Sequence, residues 1–176
     1  VIRELLGAGT IFGAEVMPSD KKVELEVTYN KLDIFNKMYK YLILTGVLMF
    51  ILIIAQIFKE RKALTYVLKG FKWWLWLLFA ILTVGLIMRW YISGHAPMSD
   101  AYESVVYVAW ATVLFGLILG RNSDLTLAST AFVGAMVLWS AHLNWMDPAI
   151  STLEPVLDSY WLLIHVSIIV MSYGPF

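Results

Sequence analysis

Histidine and arginine side chains are the residues of this chain best suited to binding chemistry. The three histidines are His95, His142 and His165, and Arg89 comes shortly before the first of them. A neutral imidazole is a good metal ligand, and a guanidinium binds anionic groups. The chain has no cysteine, which excludes a thiolate metal site, a disulfide and a cysteine nucleophile. These residues therefore point to a metal or an anionic ligand.

Composition places these side chains in a membrane protein. Of the 176 residues, 60% are hydrophobic and 15% are charged, and the mean hydropathy is +0.75. Soluble domains are about 45–50% apolar and about 25% charged. The formal net charge is zero and there is no basic block, which argues against a nucleic-acid partner. We therefore expect an all-α integral membrane protein surrounded by lipid.

Long apolar runs predict about five transmembrane helices. A helix needs roughly 20 apolar residues to cross the hydrocarbon core of a bilayer. Four runs meet or approach that length, and a fifth stops at the end of the chain. They are 41–58, 73–92, 104–120, 125–142 and 160–176.

The residues before the first span form a separate segment. Residues 23–29, "VELEVTY", alternate apolar and polar side chains, which predicts a short β-strand. Residues 31–40 are expected to form an interfacial lead-in to the first span. The predicted organisation is an extracytoplasmic segment over 1–40 and a transmembrane domain over 41–176.

Lysine and arginine placement predicts the orientation in the membrane. Residues 59–72 carry five basic side chains, whereas 94–103 and 143–159 carry none and hold five acids. Because basic loops stay in the cytoplasm, both acidic connections should face outward. All three histidines then fall at or near the outer face of a multi-pass protein.

Each histidine has a functional and a structural interpretation. His165 lies inside the last apolar run, five residues after Tyr160, where an ionisable side chain either serves a site or bonds to another helix. His95 lies in a tight loop between Gly94 and Pro97, and could simply be solvated. His142 ends a span, where it would complement the helix C-terminus.

Two features near His95 also allow two interpretations. Arg89, at the end of the second span, could snorkel to the interface or bind an anion. The sequence "SDAYE" over 99–103 fits a helix N-cap followed by an acid in the first turn, a sufficient structural reason for Asp100 and Glu103.

Two stretches carry a resemblance to a known family. They are "GHAPMSDAYESVVYVAWAT" and "AHLNWMDPAISTLEPVLDSYWLLIHVSIIVMSYG", in matching order and spacing. They resemble the haem-handling membrane subunit of System II cytochrome c biogenesis, the Ccs/Res type. The resemblance covers roughly residues 89–174, about half of the chain.

The resemblance implies a function and a set of site residues. In that family, haem b reaches an extracytoplasmic site where two histidines ligate its iron. Its vinyl groups there meet the thiols of a CxxCH motif on apocytochrome c. His165 matches one outer iron ligand and becomes the candidate metal residue, with Trp161 on the same helical face. Arg89 is the basic residue best placed for a haem propionate, and His95 would lie near the site without ligating iron.

Two departures from the family limit what the chain could do alone. The tryptophan-rich signature "WGxxWxWDPKE" and the later histidines are absent, so a second iron ligand is missing. We therefore expect a fragment or one piece of a System II synthase in the bacterial plasma membrane. Holocytochrome c synthase activity is expected only of the complete protein, with its remaining part or a partner subunit. The alternatives are a b-type haem electron carrier and a haem-free transporter or scaffold.

Overall fold

The computed structural model describes residues 20–59, 62–94, 100–143 and 160–174, and within them it is helical almost throughout. The helices are numbered in chain order. They are α1 Asp20–Leu32, α2 Ile34–Phe58, α3 Lys62–Ser93, α4 Ala101–Leu119, α5 Asp124–His142 and α6 Tyr160–Ser172. The predicted all-α architecture is confirmed.

Helices α2 to α5 form a ring. The most extensive contact joins α2 to α5, followed by the contacts of α4 with α5 and of α2 with α3. A smaller contact between α3 and α4 closes the ring. The core between them consists largely of leucine, small and β-branched residues, among them Leu42, Leu82, Val106 and Ala131. α1 lies against α3, and α6 touches α4. The bundle has two ends, which we call the Arg89 end and the Lys72 end.

Small residues allow the closest approach in the ring, between α2 and α5. A Cβ atom on Gly46 would lie only 2.9 Å from the backbone nitrogen of Phe132 and 3.1 Å from the carbonyl oxygen of Ala128. α5 presents Ala128, Ala131 and Ala135 in its buried face. Because lipid is as apolar as a leucine side chain, helices in membranes associate through such close packing. Gly46 therefore sets the contact between α2 and α5.

The predicted strand at 23–29 is wrong, because these residues lie in α1. The least exposed side chains of this part of α1 are Lys22, Leu25 and Tyr29, a spacing of three and four that follows one helical face. The alternating valines, Val23 and Val27, are exposed instead. The alternation in the sequence is real, but the neighbour of this segment is α3 rather than another strand.

The predicted connection at 59–72 is also mostly helical. α3 begins at Lys62 and runs for 32 residues, so the basic side chains from Lys62 to Lys72 project from a helix. Leu68 is buried and is followed at i+7 by Leu75, which continues the same face into the bundle. At the end of this segment, Lys72 Nζ lies 2.6 Å from Asp124 Oδ1 at the start of α5. Lys62, Lys69 and Lys72 therefore lie toward one end of the bundle, whereas Lys31, Lys37 and Lys40 lie toward the other.

Within the described residues, four helices are long and apolar enough to cross a membrane. They cover Lys22–Phe58, Lys62–Ser93, Ala101–Leu119 and Asp124–His142. The first joins α1 to α2 across Asp33, whose φ of 42° marks the break between them. The domain boundary predicted after residue 40 falls inside α2, and Tyr29, Phe35 and Met38 belong to the same core cluster as the later helices. The fifth predicted span forms α6, which has 13 residues.

Candidate functional site

A buried ion pair joins the end of α3 to the start of α4. Arg89 Nε donates to Glu103 Oε1 over 2.8 Å, and both side chains are only 1% exposed. Such a pair is costly in an apolar environment unless both partners are held in good geometry. Intramembrane ionisable residues of this kind are functional hypotheses by default.

Asp100 positions Glu103 for this contact. Asp100 is the N-cap of α4, and its Oδ1 atom accepts from the backbone N–H of Glu103 over 2.6 Å. Its other carboxylate oxygen lies 3.7 Å from Arg89 Nη2. The predicted N-cap is therefore present, and it also brings a second carboxylate to the arginine.

Two tyrosines also lie beside the Arg89 guanidinium. The Arg89 guanidinium lies over the ring of Tyr102, 5.0 Å from its centroid. Tyr29 lies close enough to Arg89 to interact with it, which adds α1 to the cluster. We call Arg89, Asp100, Glu103, Tyr29 and Tyr102 the Arg89 cluster. It contains two carboxylates for one guanidinium, so its cation is neutralised within the protein.

This geometry bears on both sequence interpretations of Arg89. A snorkelling arginine extends its head group toward water, whereas this guanidinium is enclosed by protein. Contact with a haem propionate stays a prediction, and it would require Arg89 to exchange one of its carboxylate partners for the ligand. Sequence reasoning did not find the roles of Glu103 and Tyr29. The ion pair of Glu103 with Arg89 could have been predicted, since these two residues of opposite charge flank a short connection between two spans.

His165 has the opposite surroundings. It lies on α6, where its side chain is exposed, and its helical neighbours at i−4, i+3 and i+4 are Trp161, Ile168 and Ile169. Trp161 is 77% exposed and Ile168 is 65% exposed. α6 therefore presents an imidazole in the middle of an uncovered apolar and aromatic surface, which we call the His165 face.

His142 lies at the Arg89 end of the bundle. His142 is the last residue of α5, and its exposed ring lies 5.7 Å from the Tyr39 ring of α2 at an interplanar angle of 31°. This agrees with the structural interpretation of His142 as a residue of a helix C-terminus. His95 lies outside the described residues. The described part of the chain holds no group of three histidine, aspartate or glutamate side chains able to enclose a metal ion.

A groove lies beside the C-terminal end of α6. It has a volume of about 420 Å³ and runs between α4 and α5. Gly174 packs against α4, where an added Cβ atom would lie 2.9 Å from the backbone of Ala111. The wall contains small and polar side chains as well as apolar ones, including Thr112, Gly116, Ser129 and Thr130. α6 is thus attached to the bundle near its C-terminal end, while the His165 face is left open.

Residues 98–176 match the family described as cytochrome c assembly protein. This stretch contains Asp100, Glu103, His142 and His165. The chain is also 38% identical over 98 residues to the cytochrome c biogenesis protein CcsA of Prochlorococcus marinus strain MIT 9303. That alignment covers 53% of this chain and 31% of the relative. Over these residues the chain is similar to cytochrome c assembly proteins of the CcsA type.

Two further relatives agree with this assignment. CcsA of Synechococcus sp. strain WH7803 is 40% identical over 98 residues, which cover 53% of this chain and 31% of that protein. Protein NrfI of Wolinella succinogenes is 40% identical over 164 residues, or 93% of this chain. The chain spans 18% of the length of NrfI and about a third of the length of the CcsA proteins. This CcsA-like chain therefore corresponds to a minor part of each relative.

Proposed function

We propose that this CcsA-like chain belongs to the membrane domain of a System II cytochrome c synthase, in which it helps to present haem b for attachment to apocytochrome c. The match of residues 98–176 to cytochrome c assembly proteins supports the cytochrome c biogenesis role. The observation that carries the haem part is the His165 face. It combines a nitrogen ligand with an apolar surface, which is the combination that a porphyrin with a central iron requires.

The residues of α6 fit one side of a haem. His165 would hold the iron through a ring nitrogen. Trp161 and Ile168, both more than half exposed, would cover part of the porphyrin plane. When bound, haem supplies the two vinyl groups to which the thiols of a CxxCH substrate add. The protein then needs to hold and orient the haem, and it needs no cysteine of its own.

His95, Arg89 and a second iron ligand are the other predicted parts of the haem site. His95 would lie near haem without ligating its iron, because its loop resembles the histidine-bearing motif of the family. Arg89 would reach a propionate only if its contact with Glu103 opened. The second iron ligand would come from the remaining part of the protein or from a partner subunit.

The alternatives differ from this proposal in what they require. A b-type electron carrier needs two histidines that face each other across the bundle. In the described helices His142 ends α5, and only His165 lies well inside an apolar helix. A haem-free transporter or scaffold would use His165 only for packing, which its exposure does not favour. A pyridine haemochrome spectrum of the complete protein separates this last class from the other two.

Replacing His165 tests the proposal. In the complete protein, His165→Ala should abolish formation of holocytochrome c, and added imidazole should restore part of it by entering the vacated coordination position. His165→Cys should retain some haem with an altered absorption spectrum. The matched control is His142→Ala, which removes the other exposed histidine of the described helices and should leave cytochrome c maturation intact. Normal maturation by the His165→Ala protein would refute the assignment.

The proposed haem site should face away from the cytoplasm of a bacterium. Residues 59–72 carry five basic side chains and belong to the Lys72 end, and segments rich in Lys and Arg stay in the cytoplasm. Lys31, Lys37 and Lys40, before the first long apolar run, oppose this assignment but are outnumbered. A membrane-impermeant thiol reagent added to intact cells should label a Ser99→Cys variant and should spare a Ser123→Cys variant. Ser123 is the N-cap of α5 at the Lys72 end. The reverse labelling pattern would invert the proposed orientation.

A further inference from the structure

We infer that Arg89 is a positioning residue: through Glu103, Asp100 and Tyr29 it holds together the two flanks of the connection that contains His95. This differs from a contact between Arg89 and haem. The part of the inference that concerns cytochrome c maturation rests on the proposed function.

The first support is where the ion pair lies in the chain. Arg89 and Glu103 are 14 residues apart, and the connection between α3 and α4 lies between them. Gly94 ends the helical part on one side, with a positive φ of 76°, and Asp100 caps the helix on the other. The pair therefore closes this connection at its base.

The second support is that Arg89 meets three successive features of the start of α4. It pairs with the N-cap Asp100, lies over the ring of Tyr102 and donates to Glu103. The capping bond from Glu103 N–H to Asp100 fixes the two carboxylates relative to each other. A guanidinium has several N–H donors in a rigid plane, so one arginine can hold all three groups in one arrangement.

The third support is the participation of α1. Lys22 Nζ lies 5.9 Å from the centroid of the Tyr91 ring, near the end of α3, and Tyr29 further along α1 interacts with Arg89. α1 thus follows α3 to its last turns and meets the Arg89 cluster from the other side. The cluster connects α1, α3 and α4 at the level where α3 ends and α4 begins.

A cysteine-accessibility experiment tests this inference without haem. The reporter is Ser99→Cys in the complete protein, next to the cap residue, since this chain contributes no cysteine of its own. Its labelling rate is measured in four backgrounds: unchanged, Arg89→Gln, Glu103→Gln and both substitutions together. Each single variant should raise the rate roughly tenfold, the order of effect of losing one charge-assisted hydrogen bond. The double variant should exceed neither single variant by more than about twofold, because both act on the same interaction.

The controls separate positioning from general loosening. Thr83→Val removes the hydrogen bond that Trp110 Nε1 donates to Thr83 Oγ1 over 2.9 Å, at the same interface of α3 and α4 but further from the connection. It should leave the labelling rate unchanged. Tyr29→Phe loses only a hydroxyl, so it should fold even if the charge variants do not, and it should raise the rate by a smaller factor in the same direction.

Holocytochrome c formation, measured in the same variants without the reporter cysteine, distinguishes the two roles of Arg89. If Arg89 positions the connection, Arg89→Gln and Glu103→Gln should both lower it. Normal or increased formation in Glu103→Gln beside a loss in Arg89→Gln would overturn the inference, as would unchanged labelling in every variant. Increased labelling with normal cytochrome c formation would uphold the positioning role and remove this connection from the proposed haem site.

Discussion

The Arg89 cluster and the His165 face differ in the burial of their ionisable side chain, which is enclosed in the first and exposed in the second. Arg89 is 1% exposed and is surrounded by two carboxylates and two tyrosines from three helices. His165 is exposed on α6, between apolar side chains that are themselves uncovered. In the first arrangement the charged groups pair with one another, whereas the second leaves the imidazole exposed. Polar residues in a membrane protein are therefore best distinguished by whether the protein already satisfies them.

The difference has a cause in the packing of the helices. α3 and α4 lie side by side in the ring, and a capped first turn directs Glu103 toward Arg89. α6 meets α4 near its C-terminal end, at Gly174, and leaves Trp161 and Ile168 open. A residue in the first environment is expected to act on stability and position, whereas a residue in the second is expected to act on binding. The following predictions test that division.

The largest effect on stability is expected from breaking the buried pair. Glu103→Ala should lower the free energy of unfolding by about 3–5 kcal/mol, because the Arg89 guanidinium is left buried without its closest partner. Adding Arg89→Met to this variant should recover most of the loss, since no buried charge then remains and the Asp100 carboxylate is partly exposed. Unfolding of detergent-solubilised protein, followed by circular dichroism, measures both. A double variant as unstable as Glu103→Ala would mean that the pair is not the interaction being lost.

A smaller effect is expected at the cap that aligns the pair. Asp100→Ala removes the acceptor for the Glu103 N–H and should cost about 1 kcal/mol. Asp100→Asn is the matched control, because its side-chain oxygen can still cap α4 while its charge beside Arg89 is lost. The same unfolding measurement applies to both variants. If the two are equally destabilised, the charge of Asp100 matters more than its cap.

The smallest effect on stability is expected at the His165 face. His165→Leu should leave the unfolding free energy of this chain unchanged within the error of the measurement, because the imidazole is exposed. The same variant should eliminate haem binding in the complete protein if the proposed function holds. A loss of stability greater than about 1 kcal/mol would show that His165 contributes to packing, and the contrast with Arg89 would fail.

The sequence determined the membrane class, the four long spans and the basic character of residues 59–72. These properties depend on the length and polarity of continuous segments, which are local. The N-cap at Asp100 was predictable for the same reason, since a cap involves residues within one helical turn. The similarity of residues 98–176 to cytochrome c assembly proteins was likewise contained in two short stretches of sequence.

Only the tertiary structure decided those conformations, ion pairs and exposures that depend on contact with another helix. Residues 23–29 alternate like a strand, but α3 lies beside them and the helical face of Lys22, Leu25 and Tyr29 packs there instead. Arg89 could have reached water or an anion until Glu103, 14 residues later, was placed 2.8 Å away. The helical neighbours of His165 follow from the sequence, but only the position of α6 in the structure shows that they are exposed. Burial and ion pairing join residues distant in sequence, and no local pattern of residue types contains them.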